Sequence, residues 1–183
     1  MSKDPREATL LGRLAGLEET GQDEEGLAAA LGELVDYYWE VGDYQSAEVP
    51  MLRRLELLRH SRGPKHTAVA RCLHDLAFLY DYLRRDAAVE DFAAQAMTMW
   101  AEIDGYANGH TLRMLELLAR LYAKQGRHEK LSALLDAAIP EIERGYPRGY
   151  HDDSLAKLVE LLTGDDRSAE LRSLAARVRA LLD

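Results

Sequence analysis

The chain has 183 residues, 47% of them apolar and 30% charged, an ordinary globular composition that supports one buried core and shows no bias toward disorder. Its formal charge of -9 argues against nucleic acid or an anionic membrane surface as the main partner. One cysteine rules out an internal disulfide framework and suits a reducing compartment, and no apolar run approaches the roughly 20 residues that span a bilayer.

Leu and Ala dominate while Phe is rare, a balance that favours helix over strand. The first residues, "MSKDPREATLLG", lack a basic stretch ahead of an apolar one, so no signal peptide is read there and the expected location is the cytoplasm. Residues 5–20 form the first predicted helix. Three segments then align with one another: "LGELVDYYWEVGDYQSAE" from Leu31, "LHDLAFLYDYLRRDAAVE" from Leu73 and "LELLARLYAKQGRHEKLS" from Leu115, spaced by 42 residues each time. Leu34, Leu76 and Leu118 share a column, as do Val35, Ala77 and Ala119, and Tyr38, Tyr80 and Tyr122. A fourth, eroded copy starts at Leu155 with Leu158, Val159 and Leu162 in register.

Within each copy the apolar residues recur at i, i+3, i+4 and i+7, the pattern of one buried helix face. The small residue at 35, 77 and 119 lets a neighbouring helix approach, and the tyrosine column reads as core beside it. Gly42 and Gly126 sit where a helix ends in the left-handed conformation; Arg84 occupies that column in the second copy, so its turn should be strained or irregular. A second helix follows each turn, with Pro50 and Pro140 placed to bend it or displace a hydrogen bond. In the connectors, Thr67, Thr111 and one of Asp153 or Ser154 are the expected N-caps, and His66, His110 and His151 recur with a capping or packing role. The amphipathic stretch "RSAELRSLAARVRALL" would cover the last hairpin, as the end of a repeat array requires.

These columns resemble the tetratricopeptide repeat, and the 42-residue period resembles its kinesin-light-chain variant. The residues that carry the likeness are "LARLYAKQGRHEKL", "GDYQSAE" (42–48) and "GPKHTAVA" (63–70). The resemblance implies an all-α fold, a right-handed α-solenoid of antiparallel helix hairpins. It also implies one domain over 1–183: an N-terminal helix at 5–20, repeats at 27–62, 67–104 and 110–146, and a degenerate fourth repeat with its capping helix at 152–183.

If hairpins stack in that manner, the first helix of each pair lines a concave surface. The residues one, five and nine places after the first Leu are then its lining, with their flanks. The candidate partner-binding residues are Asp36, Trp39, Glu40, Arg71, His74, Phe78, Tyr82, Arg113, Glu116, Arg120 and Lys124. Aromatics set among charges are a binding-surface composition. Arg71, Arg113, Arg120 and Lys124 gather positive charge, which fits an acidic segment; Glu116 pairing with Arg120 is the self-compensating alternative, and the two are left open. Asparagines that hold a peptide backbone in such grooves are missing here, so kinesin cargo and chaperone-tail binding are not carried over.

Chemistry is not expected. Cys72, His74 and Asp75 lie within four residues, yet on a helix they diverge, so no thiol-activating pair forms locally. The six histidines show no metal-ligand spacing, and no phosphate loop, dinucleotide fingerprint or nucleophile elbow is present. The expected protein is therefore a non-catalytic interaction module without cofactor, binding a protein or peptide. A peptide-sensing part of a larger regulator and a self-assembling scaffold are the alternatives.

Overall fold

A computed structural model describes residues 4–21, 24–146, 152–163 and 169–182. Among these the secondary structure is helical throughout: α1 Pro5–Thr20, α2 Glu24–Val41, α3 Tyr44–Arg62, α4 Thr67–Tyr82, α5 Asp86–Asp104, α6 Gly109–Lys124, α7 His128–Gly145, α8 Asp153–Leu162 and α9 Ala169–Leu182. Helices α3, α5 and α7 begin at 44, 86 and 128, so the 42-residue register read from the sequence continues into the second helix of each hairpin. The chain falls into two compact units, residues 1–85 and 86–183, each taken by itself below.

In the first unit α2 packs against α1 and α3, and α3 packs against α4. Leu31, Leu34 and Val35 of α2, Met51, Leu55 and Leu58 of α3, and Leu73, Leu76 and Ala77 of α4 are buried. Burial of each large apolar side chain contributes about 1.5–3 kcal/mol. In the second unit α6 packs against α5, α7 and α8, while α9 lies on α7 and α8 with Leu171, Leu174, Ala175 and Val178 inward.

The helix starts differ from the sequence reading. His66, not Thr67, caps α4, its Nδ1 accepting from the amide of Ala68 at 3.1 Å. Asn108, not Thr111, caps α6 by accepting from the amides of His110 and Thr111, both at 2.9 Å. Thr111 is fully buried instead and donates its hydroxyl to the carbonyl of Gly105. Asp152 caps α8 through the amide of Ser154 at 2.8 Å, and Ser154 is buried. A cap side chain must precede its helix in extended backbone, and in each case a residue upstream of the expected one does so with a better-placed acceptor. Of the recurrent histidines, His66 caps, His110 stacks on Trp100 at 4.2 Å, and His151 lies outside the described residues.

The strained turn is present. Gly42 and Gly126 have φ of 74° and 67°, and Arg84 takes φ 57° in the same column. Left-handed backbone costs a non-glycine residue about 1–2 kcal/mol. Helices α3 and α7 run through Pro50 and Pro140, whose missing N–H leaves the carbonyls of Ser46 and Asp136 without their intrahelical donors.

Each buried tyrosine of the repeat column also has a polar end that the sequence reading did not pair. Tyr38 donates to Glu7 at 2.8 Å and Tyr80 to Glu48 at 3.0 Å in the first unit; Tyr122 donates to Glu90 at 3.1 Å in the second. Arg85 reaches Glu48 at 2.5 Å, and 42 residues on Arg127 grips both oxygens of Glu90 at 2.5 and 2.9 Å. Desolvation, reinforced by the carboxylate, pushes the phenols of Tyr38 and Tyr80 up to about 12.

Candidate interaction surface

The residues singled out for binding divide between the two units. In the first, α2 turns Asp36 and Glu40 outward, one helical turn apart. Glu40 is held by the guanidinium of Arg6 from α1, which lowers its carboxyl and occupies the charge. Trp39 is half-buried, because it packs edge-on against two tyrosines: Tyr44, the first residue of α3, at 5.1 Å and 74°, and Tyr82, the last of α4, at 5.3 Å and 85°. Tyr44 and Tyr82 stack on each other at 4.4 Å and 16°. Three helix ends thus meet in one aromatic cluster. Tyr82 remains 55% exposed at its rim.

The rest of the α4 stripe behaves differently along its length. Phe78 is half-buried and lies tilted against His74, with ring centroids 5.1 Å apart; His74 is only 8% exposed. His74 therefore underlies the surface rather than presenting an imidazole to a partner. Arg71 is exposed near the start of α4, 11 residues and roughly 16 Å from Tyr82 along the helix. Cys72, between them, is 1% exposed with its Sγ against the carbonyl of Met51, and burial pushes the thiol up to about 12. A thiol so far from ionisation is a poor nucleophile at neutral pH.

In the second unit α6 presents Arg113 and Arg120 exposed, with Glu116 half-buried between them. Lys124 lies 3.5 Å from Asp86, so its ammonium is already engaged. A shallow depression of about 410 Å³ opens at the α6–α7 turn, lined by Gly126, Arg127, His128, Glu129 and Lys130. Both Arg127 and Lys130 are committed to Glu90, and together with Tyr122 they hold its carboxyl down at about 2. Among the described residues no group of three or more His, Cys, Asp or Glu could hold a metal ion, and no helix is long and apolar enough to cross a membrane.

Two members of this surface were not found from the sequence. Tyr44 opens the second helix of its hairpin, outside the columns assigned to the lining; its place directly after the Gly-Asp turn was the available signal. Arg54, also on α3, lies with its guanidinium against Gly32 of α2.

With that geometry the fold class is the TPR-like helical-repeat solenoid. The structure resembles a Podosopora anserina protein described as a putative kinesin light chain with nearly identical TPR-like repeats. The TM-score is 0.72 and the sequence identity 21%, over 96% of this chain and 84% of that one; a singly substituted form of the same protein gives the same values. It also resembles BtubC (BKLC) from P. vanneervenii, with a TM-score of 0.69 and 18% identity over 95% and 72% of the two chains. No protein-family model and no curated protein matches the sequence.

Proposed function

We propose that the chain is a non-catalytic interaction module that takes a peptide or protein segment on the outward stripe of α2 and α4. The observation that carries this reading is the Trp39–Tyr44–Tyr82 cluster. Inward columns of the repeat already satisfy the core, so helix packing does not require three aromatic rings at the surface ends of α2, α3 and α4. Large rigid rings with an exposed rim supply contact area at low entropic cost, which is why they dominate interface energetics. Helical-repeat arrays provide extended surfaces for such partners, and the likeness to repeat proteins described as kinesin light chains is in keeping with that role.

The charge pattern refines the reading. Of the four cations expected to attract an acidic segment, Lys124 is engaged by Asp86, while Arg71 stands exposed on the same stripe as Tyr82. Affinity capture from the protein's own cell extract tests the proposal, comparing the wild type with Trp39→Ala/Tyr82→Ala at matched helicity. The aromatic variant should lose most of the specifically captured proteins. An unchanged set would reject this surface.

A further inference from the structure

Repeat register exposes an inversion in the first hairpin. One column of the first helices reads Gly32, His74, Glu116, and one column of the second helices reads Arg54, Ala96, Ala138. Ala96 and Ala138 are 0% and 1% exposed, so this column belongs to the interior. In the first hairpin alone the large side chain comes from the second helix and the small one from the first. The consequence is a close approach: a Cβ built on Gly32 would stand 3.1 Å from Cζ of Arg54 and 3.3 Å from its Nε and Nη2. Glycine thus leaves the gap in α2 that the guanidinium fills. Gly32 lies two helical turns, roughly 10 Å, before Trp39 on α2.

Arg54 is unlike its neighbours in charge as well as in size. Arg53, the residue before it, pairs with Glu18, and Arg6, Arg13, Arg62 and Arg85 of the same unit each pair with a glutamate. The guanidinium of Arg54 makes no ion pair among the described residues, and its Nε is buried with no acceptor there. The side chain as a whole keeps partial exposure. Its positive charge is also felt by the thiol of Cys72 on α4. A partly desolvated cation with a buried, unanswered donor gains more from an arriving anion than a solvated one does.

We propose that Arg54, admitted through the gap at Gly32, is a carboxylate-binding residue for an acidic segment of a protein partner. This rests on the interaction reading given above and names the chemistry of the same surface. The planar fork of arginine suits a side-chain carboxylate, and exposed Arg71 adds a second positive charge on α4.

The test uses a fluorescein-labelled, end-blocked octaglutamate as probe, read by anisotropy at low salt, with octalysine and inorganic phosphate as controls. The wild type should bind octaglutamate saturably and not octalysine. Arg54→Met should weaken binding about 10- to 100-fold, the range for loss of a charge-assisted hydrogen bond. Gly32→Ala, which pushes the guanidinium aside without removing it, should fall between the two, and Arg54→Met should melt no lower than the wild type.

Three outcomes would overturn the proposal: no binding of octaglutamate by the wild type, equal binding by Arg54→Met, or a melting temperature several degrees lower in that variant. The last would mark Arg54 as a structural cation. Displacement of the probe by phosphate at matched charge would overturn it too, assigning a general anion site rather than one for a protein segment. If Arg54 fails while Trp39→Ala/Tyr82→Ala still loses its captured proteins, only the role of Arg54 falls; the surface itself falls when those variants keep them.

Discussion

The same carboxylate clip is built once in each unit, and the two copies differ in strength. In the first, Glu48 receives the hydroxyl of Tyr80, the neutral amide of Gln45 and, as its one cation, Arg85. In the second, Glu90 receives Tyr122, a two-oxygen grip from Arg127 and the ammonium of Lys130. Three donors converge on Glu90, and its carboxyl is drawn down to about 2. The repeat thus keeps its apolar columns almost fixed while its polar ends vary copy by copy. The first unit differs further in what it leaves unanswered among the described residues: an aromatic rim at Tyr82 and the buried Nε of Arg54.

The heaviest cost should fall on the part the two copies share. Leu76→Ala and Leu118→Ala, in one column and at most 1% exposed, should each cost about 2–5 kcal/mol in denaturant unfolding. A surface-like cost at either position would break the common register. Next comes the clip itself. Glu90 has a folded pKa below the usual 4.5, so its contribution is present above 4.5 and is lost as pH falls from there toward 2. Because the pair is partly solvated, that contribution should be on the order of 1 kcal/mol, and Glu90→Gln should flatten this part of the acid flank of the stability curve. An unaltered acid flank would show that the stronger clip is only geometric. The turns should respond most mildly. Arg84→Gly should stabilise the chain by about 1 kcal/mol, since glycine accepts φ 57° without strain, and Gly126→Arg should do the reverse. A destabilised Arg84→Gly would show that the arginine side chain holds that turn.

Much of this was legible in the sequence because it is periodic. The 42-residue spacing placed Leu34, Leu76 and Leu118 in the core, marked Tyr38, Tyr80 and Tyr122 as buried, and singled out Arg84 as the residue forced into a glycine's conformation. The N-caps were misplaced by one to three residues, since Thr67 and Thr111 fit the composition of a cap while His66 and Asn108 have the geometry. The clips escaped notice because each hydroxyl finds its carboxylate about 32 residues away on a preceding helix. The recurrence of Glu48 at Glu90 and of Arg85 at Arg127 was the signal that could have shown them. Arg54 was hidden for a related reason: outward residues were sought on the first helices, whereas it enters from the second through a gap that only a glycine leaves. Its column, alanine at 96 and 138, carries the signal.

If partner contact centres on the aromatic rim of the first unit, two single substitutions of exposed residues should separate cleanly in capture from cell extract. One is Tyr82→Ala within the cluster; the other is Val49→Ala, 73% exposed on α3 and not among its rings. Tyr82→Ala should sharply reduce the captured partner while Val49→Ala leaves it at the wild-type level. Equal capture by both variants would contradict a partner site at that rim.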